Sequence, residues 1–498
     1  MRFRSSLRRY ALAVLVGAPA LASAQPATPV ANDEPTLHRA QLRIGYENTT
    51  LPGRERMGLT GTSYLIQGLP GLYVGPGVYG AVTGQRGGLF VVGAEAAWRQ
   101  RLWRSLGLEA GLYVGGGGGA AAPVGGGLML RPHADLLWDF GGWQAGLSYS
   151  RVRFPSGDID SSQWGLVWSL DTGFDTLRPD AGMTNGRSRR SGMGFDRVLG
   201  VSTAYLPSDG ARLRSGAKMS RRVGLVGARF ETFVNPALYW GIETAGAASG
   251  GVGGYAELLG SIGAETAVWG NTLTIGARAA LGMGGGGDVA TGGGALGKAG
   301  AYAAMELAPG VALALEGGLV RTRRADFQAR YAALSLSLDL DHRGRPSARD
   351  SVVRTEWIGG IEQYEAARRD GSERSLRNVV LKVNRYVSES VYITGQARSA
   401  YDGGAGGYTV GLIGAGWHGP RWRGVSTGAE FVIGAGGGGG VDSGGGALIE
   451  PNAFVAFDLG SDWSARLGAG YIRVSDGRLS SPTWELSLAY SFGVQGRP

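Results

Sequence analysis

The chain has 498 residues, 49 Lys and Arg against 40 Asp and Glu, a formal charge of +9 and no Cys. The missing Cys excludes disulfides and Cys-ligated metals, leaving packing and backbone pairing to hold a large product together. The charge falls from +9 to +5 without the four Arg of residues 1–24, a segment with no acid, and this mild balance gives no sign of a nucleic-acid partner.

Arg2, Arg4, Arg8 and Arg9 followed by the apolar stretch Tyr10 to Ala20 and the small residues Ala22-Ser23-Ala24 read as a secretory signal peptide over 1–24. Residues 25–38 follow as a short periplasmic N-terminal segment. Beyond them there is no run of about 18 apolar residues, the least a helix needs to cross a bilayer. Gly makes up 92 of 498 residues, far above the usual ~7%, yet without a collagen period, and 13 Trp and 19 Tyr are too many for a disordered tract.

Self-comparison shows three copies of one unit. The long glycine runs YVGGGGGAAAPVGGGLM from Tyr113, LGMGGGGDVATGGGALG from Leu281 and GAGGGGGVDSGGGALIE from Gly434 share a pattern. Shorter clusters precede them: TGQRGGL from Thr83, SGGVGGY from Ser249 and DGGAGGY from Asp402. The units are repeat 1 at 39–170, repeat 2 at 197–341 and repeat 3 at 353–498 with the C-terminal strand, joined by linkers at 171–196 and 342–352.

Each unit holds about eight segments with period-two alternation, the pattern of strands with two unlike faces. From Trp463 to Tyr471 every odd position is apolar, and the even ones are Ser464, Arg466, Gly468 and Gly470. Trp463 and Tyr471 stand about 26 Å apart at roughly 3.3 Å per residue, close to the ~25 Å apolar band between aromatic girdles. In a soluble sandwich the polar face would carry charge toward water. Here it is mostly Gly, Ser and Ala, which favours a lipid-facing exterior.

With these strands, the chain resembles a bacterial outer-membrane β-barrel protein. Its last strand, Trp484-x-Leu486-x-Leu488-x-Tyr490-x-Phe492, is similar to the C-terminal assembly signal of that class, although Gly-Val-Gln-Gly-Arg-Pro follows Phe492. The resemblance implies an outer-membrane location, with membrane lipid, lipopolysaccharide and the barrel-assembly machinery as partners. The expected fold is an all-β transmembrane antiparallel barrel of about 24 strands in three eight-strand repeats, the alternative being three tandem eight-stranded barrels. Linkers longer than the inner turns favour the alternative; small inward residues favour one wide lumen, and the single barrel is the expectation.

Tight turns such as Phe140-Gly-Gly-Trp143 suit the periplasmic end, placing the glycine-rich hairpins outside. Those hairpins, marked by Gly115, Gly125, Gly284, Gly292, Gly436 and Gly444, are expected to pack together and narrow the outer mouth. Glu109, Arg278 and Glu430 on the inward parity of the fifth strands, with Asp458 and Arg466, are candidate lumen-lining residues. Arg151, Arg321 and Arg473 share the lipid-facing parity near the outer aromatic edge, where an Arg can reach lipid phosphates.

No glycine run is followed by the strand–helix context and Lys-Ser/Thr of a phosphate loop. His38, His133, His342 and His418 show no metal-ligand spacing, and no G-x-S-x-G elbow is present, so neither enzyme chemistry nor a cofactor or metal is expected. The functional expectation is a pore or export conduit for hydrophilic, even polymeric, cargo, whose partners would include a polysaccharide or secretion apparatus. The alternative is a non-conducting scaffold presenting glycine-rich loops to a partner.

Overall fold

The computed structural model describes residues 36–177, 195–219, 222–269, 272–323, 327–339, 352–460 and 462–495. The signal peptide, most of the 25–38 segment, most of both linkers and His342 lie outside the described residues.

The strands close as three separate antiparallel barrels. Barrel 1 runs through β1 (Thr36–Thr50), β2 (Arg56–Leu69), β3 (Leu72–Thr83), β4 (Phe90–Arg101), β5 (Leu106–Gly118), β6 (Leu128–Asp139), β7 (Trp143–Arg153) and β8 (Asp160–Thr176). Barrel 2 runs through β9 (Arg197–Pro207), β10 (Val223–Phe233), β11 (Leu238–Ser249), β12 (Ala256–Val268), β13 (Leu273–Gly285), β14 (Ala295–Ala308), β15 (Val311–Thr322) and β16 (Gln328–Asp339). Barrel 3 runs through β17 (Val352–Ala367), β18 (Glu373–Tyr386), β19 (Val391–Asp402), β20 (Thr409–His418), β21 (Val425–Gly437), β22 (Ala447–Asp458), β23 (Trp463–Val474) and β24 (Ser480–Gln495). First and last strands seal each wall through pairs such as Ala40 with Thr172, Thr203 with Ala333, and Gly360 with Ser487. Every strand thus has two neighbours, and no edge is left to pair with a foreign strand or to lie unpaired in lipid.

The eight-strand repeat therefore stands, and the single 24-strand barrel gives way to the three-barrel alternative. The physical reason lies in the inward glycines. Gly61 is the register partner of Tyr79, Gly263 of Tyr239, Gly276 of Tyr302 and Gly416 of Tyr392. A Cβ on Gly61, Gly263 or Gly416 would come within 2.2–2.3 Å of its partner's ring. Each glycine is the floor on which a neighbouring tyrosine lies, so small residues mark filled interiors rather than a wide lumen.

Strand limits also exceed the expected repeat limits. β1 begins at Thr36, inside the segment assigned to the N-terminal arm, and β8 continues to Thr176, inside the first linker. The extension has a cause: Leu177 pairs with Gly493 of barrel 3, the two backbones exchanging bonds of 2.8 and 3.1 Å.

Alternation sets the two faces. In β23, Trp463, Leu467 and Tyr471 are exposed while Ser464 and Arg466 are buried. Short turns such as 140–142 between β6 and β7 lie at the end where the linkers join the barrels, and the glycine-rich loops lie at the other.

Candidate functional site

The barrel interiors are filled with charge. In barrel 1, Arg43 comes off β1 at the centre and meets Glu95 of β4 at 2.8 Å, Glu109 of β5 at 3.3 Å and Asp135 of β6. His133 sits between Glu95 and Asp135, 3.1 Å from each. Glu95, Glu109 and His133 are near enough to suit a metal ion, but the Arg43 guanidinium already occupies their centre. Barrel 2 joins Arg278 to Glu243 at 2.7 Å and to Glu316 at 2.8 Å, with Arg229 on Glu316 and Lys298 on Glu243. Barrel 3 joins Arg398 to Glu362 and Glu450, Lys382 to Glu485 at 2.7 Å, and Arg466 to Glu356 at 2.7 Å.

These charges are a few per cent exposed or less and depend on their partners, because an isolated ion in such a place carries a desolvation cost of several kcal/mol. A void in barrel 3 bounded by Lys382, Glu430, Arg466 and Glu485 measures about 10 Å³, the room of a single water.

The candidate residues fall into place around this. Glu109 is held by Arg43 and by Arg99 at 2.7 Å, Arg278 by Glu243 and Glu316, Glu430 by Lys382 at 3.2 Å, and Arg466 by Glu356. All four point inward and belong to the packing. Asp458 sits apart, at the linker end of β22, on Arg421 at 3.0 Å. Arg151, Arg321 and Arg473 are exposed near the glycine end; Arg151 is paired with Asp160 at 2.6 Å, and Arg473 faces the space between the barrels. Sequence reasoning missed Arg43, Glu95, Asp135 and Glu316, whose only signal was inward parity.

The long glycine hairpins do not meet one another at a common mouth. Each seats against the short glycine loop of a different barrel. Gly87 N donates to Gly292 O at 2.7 Å, tying barrel 1 to barrel 2, and Gly406 N donates to Gly125 O at 3.0 Å, tying barrel 3 to barrel 1. Between barrels 2 and 3 a Cβ on Gly253 would stand 2.4 Å from Gly444 O. Within each barrel the short loop also abuts the long hairpin, as a Cβ on Gly119, Gly286 or Gly438 would lie 2.0–2.2 Å from Gly88 O, Gly254 O or Gly407 O. Six loops thus make one closed ring. Gly284 and Gly436 stand at hairpin bases, donating to Gly294 O and Gly446 O at 2.8 Å, and Gly115 packs beside the Tyr113 hydroxyl. Arg214 of barrel 2 reaches across to Gly87 O at 2.8 Å and Ala120 O at 2.9 Å. Burial, then the nearby Arg86, pushes its pKa below the usual arginine range.

Beneath the ring the barrels surround a partly open chamber of about 3780 Å³. Its wall is drawn mainly from the outward faces of all three repeats, including Ile44 and Val78, Ile242 and Leu334, Ile413 and Leu488. Polar groups such as His38, Arg385 and Asp462 reach it at the linker end. There barrels 1 and 3 are joined by the Leu177–Gly493 pair and by aromatic packing of Phe174 against Trp357 at 5.2 Å and Phe492 at 5.3 Å.

Away from the seams, large apolar side chains face outward: Trp98, Leu136 and Leu147 on barrel 1, Leu315 and Leu319 on barrel 2, and Leu467 and Trp484 on barrel 3 are 46–64% exposed. So extensive an apolar surface on closed strands belongs in lipid. The chain folds as closed β-barrels whose outer belt is suited to a membrane.

No family model and no curated protein matches the chain. Similar solved structures are outer-membrane barrels. The outer membrane protein opdK from Pseudomonas aeruginosa is 8% identical, over 92% of this chain and 99% of that one, with a TM-score of 0.23. A mutant of the ferric enterobactin receptor PfeA from Pseudomonas aeruginosa is 10% identical, over 91% and 80%, with a TM-score of 0.28. Neisserial surface protein A is 12% identical, over 28% and 96%, with a TM-score of 0.21.

Proposed function

We propose that this outer-membrane protein is pore-like in a particular sense: its usable space is the chamber between the barrels, and the three barrel interiors are closed walls. The observation that carries this is the apolar lining contributed by all three repeats around about 3780 Å³, several times the ~300–1,000 Å³ of an ordinary ligand pocket. Such a space holds or passes an apolar or amphipathic molecule. Hydrophilic or polymeric cargo would need a wet path, and each described interior is bridged by ion pairs such as Arg43–Glu95, Arg278–Glu243 and Arg466–Glu356.

Scaffolding through glycine-rich loops offered to a partner is the weaker reading, since those loops are occupied by one another. Planar-bilayer recording tests the proposal. Purified protein is expected to give no steady single-channel steps, while an environment-sensitive apolar dye brightens on binding it. Large ohmic steps that persist in every insertion would overturn it.

A further inference from the structure

The three seams of the ring are built from corresponding positions but differ in closure. At the seam of barrels 3 and 1, β19 faces β5, and Gly116 lies against the Ser399 and Ala400 backbone. At the seam of barrels 2 and 3, β11 faces β21, and a Cβ on Gly246 would be 3.0 Å from the Ala435 Cβ. At the seam of barrels 1 and 2, β3 faces β13, and Gly80 lies against the Met283 sulfur.

One strand repeat below these contacts stand Val114, Ile433 and Leu281, which correspond across the repeats. Val114 is 8% exposed, Ile433 48% and Leu281 75%. The seam of barrels 1 and 3 is closed a second time at the linker end by Leu177, Gly493 and the Phe174–Trp357 packing. The seam of barrels 2 and 3 has further contacts along its length, with Phe230 beside Gly395 and Ile413 beside Gly200. Among the described residues, the hydrogen bonds between barrels 1 and 2 lie at the glycine end, from Gly87 to Gly292 and from Arg214 to Ala120 and Gly87.

We infer that the seam of barrels 1 and 2, between Val78 of β3 and Leu281 of β13, is a lateral portal through which acyl chains of bilayer lipid enter the chamber. The inference rests on the chamber reading above and adds its occupant and entrance. Both residues line the chamber. An apolar cavity opening sideways into hydrocarbon meets acyl chains at the concentration of a solvent, whereas water entering it would give up hydrogen bonds and find few partners on the wall. The polar rim at His38, Arg385 and Asp462 suits a headgroup left at the linker end while the tails lie within.

The chain has no cysteine, so paired cysteines report without background. Val78→Cys with Leu281→Cys places a thiol on each side of the portal, to be stapled with a flexible bis-maleimide. Stapled and unstapled protein are placed in vesicles of phosphatidylcholine carrying a diazirine on one acyl chain, irradiated, and adducts are mapped by mass spectrometry. Unstapled protein should be labelled at the chamber wall, at Ile413 and Leu488, and on the outer belt at Leu147. The staple should abolish the chamber adducts and leave the Leu147 adducts. A staple between Thr244→Cys and Ile433→Cys, at the seam of barrels 2 and 3, should abolish neither. Chamber adducts that survive the first staple, or are lost equally with the second, overturn the portal and leave the chamber standing. Belt adducts without chamber adducts in unstapled protein overturn both.

Discussion

Replacing Gly87, Gly253 and Gly406 together by Ala should break the glycine ring and free barrel 2 from its neighbours without unfolding any barrel. These glycines are the short-loop half of the ring. A Cβ on Gly87 would lie 2.5 Å from Gly294 N and 2.7 Å from Gly292 O, where ordinary contact begins at 3.4 Å. A Cβ on Gly406 would lie 2.6 Å from Gly127 N, and one on Gly253 2.4 Å from Gly444 O. Backbone lies on both sides, so the seam must part by several tenths of an ångström. Each seam then bears overpacking of about 1–3 kcal/mol and, at Gly87 and Gly406, the weakening of a hydrogen bond worth roughly 0.5–1.5 kcal/mol. At about 1.5–4.5 kcal/mol for the Gly87 and Gly406 seams and about 1–3 kcal/mol for the Gly253 seam, parting is favoured on the order of 5- to 2,000-fold per seam. The assay cuts protease sites engineered at residues 180–190 and 343–349, between the barrels, and follows the nicked protein in detergent by size exclusion. The parent should elute as one species and the triple variant as barrel 2 apart from barrels 1 and 3, which keep the Leu177–Gly493 pair and the Phe174–Trp357 packing. Gly411→Ala, at a position with nothing within 4 Å, should elute with the parent. Co-elution of the nicked triple variant with the parent would refute the claim that the ring holds the barrels together.

Arg43→Met should cost barrel 1 about 3–5 kcal/mol, because Glu95, Glu109 and Asp135 are left buried without their shared cation; urea unfolding in detergent followed by tryptophan emission reads it. Arg151→Gln, which breaks an exposed pair with Asp160, should leave the same midpoint where it is, because water screens such a pair. Gly416→Ala drives a Cβ to 2.3 Å from the Tyr392 ring and should destabilise barrel 3 by roughly 1–3 kcal/mol. Adding Tyr392→Leu should relieve part of that loss, giving a coupling of about 0.5–3 kcal/mol in a double-mutant cycle. Strictly additive values would show that the ring does not rest on that glycine.

The strands, their two faces and the threefold repeat were legible because each is a property of neighbouring residues. Trp463 to Tyr471 carries its alternation in nine consecutive positions, and the structure exposes one set and buries the other. Closure was not legible, since it depends on which residue faces which. Gly61 alone reads as space in a lumen; beside Tyr79, its register partner, it is the seat of a ring. The same holds for the ion pairs. Arg43 lies 52 residues from Glu95 and 92 from Asp135, so parity shows that each points inward and nothing short of the register shows that they meet. The glycine runs were expected to pack against one another, whereas each long run seats against a short loop of another repeat, a pairing that no single run carries in its own residues.

A ring of this design closes by heterologous contact: one loop of each repeat meets a different loop of the next, and three such steps return to the start. Three separate copies of one barrel would close in the same way, with three identical seams. Linking the copies in one chain raises their effective concentration, so each seam can be weaker than free association requires. It also lets the seams differ. Val114, Ile433 and Leu281 occupy corresponding places, yet their exposures run from 8% through 48% to 75%. One seam is sealed at both ends and another is held at the glycine end, a difference that a symmetric trimer has no means to encode. Covalent triplication therefore supplies what an entrance to the chamber needs, two seams that hold while the third opens.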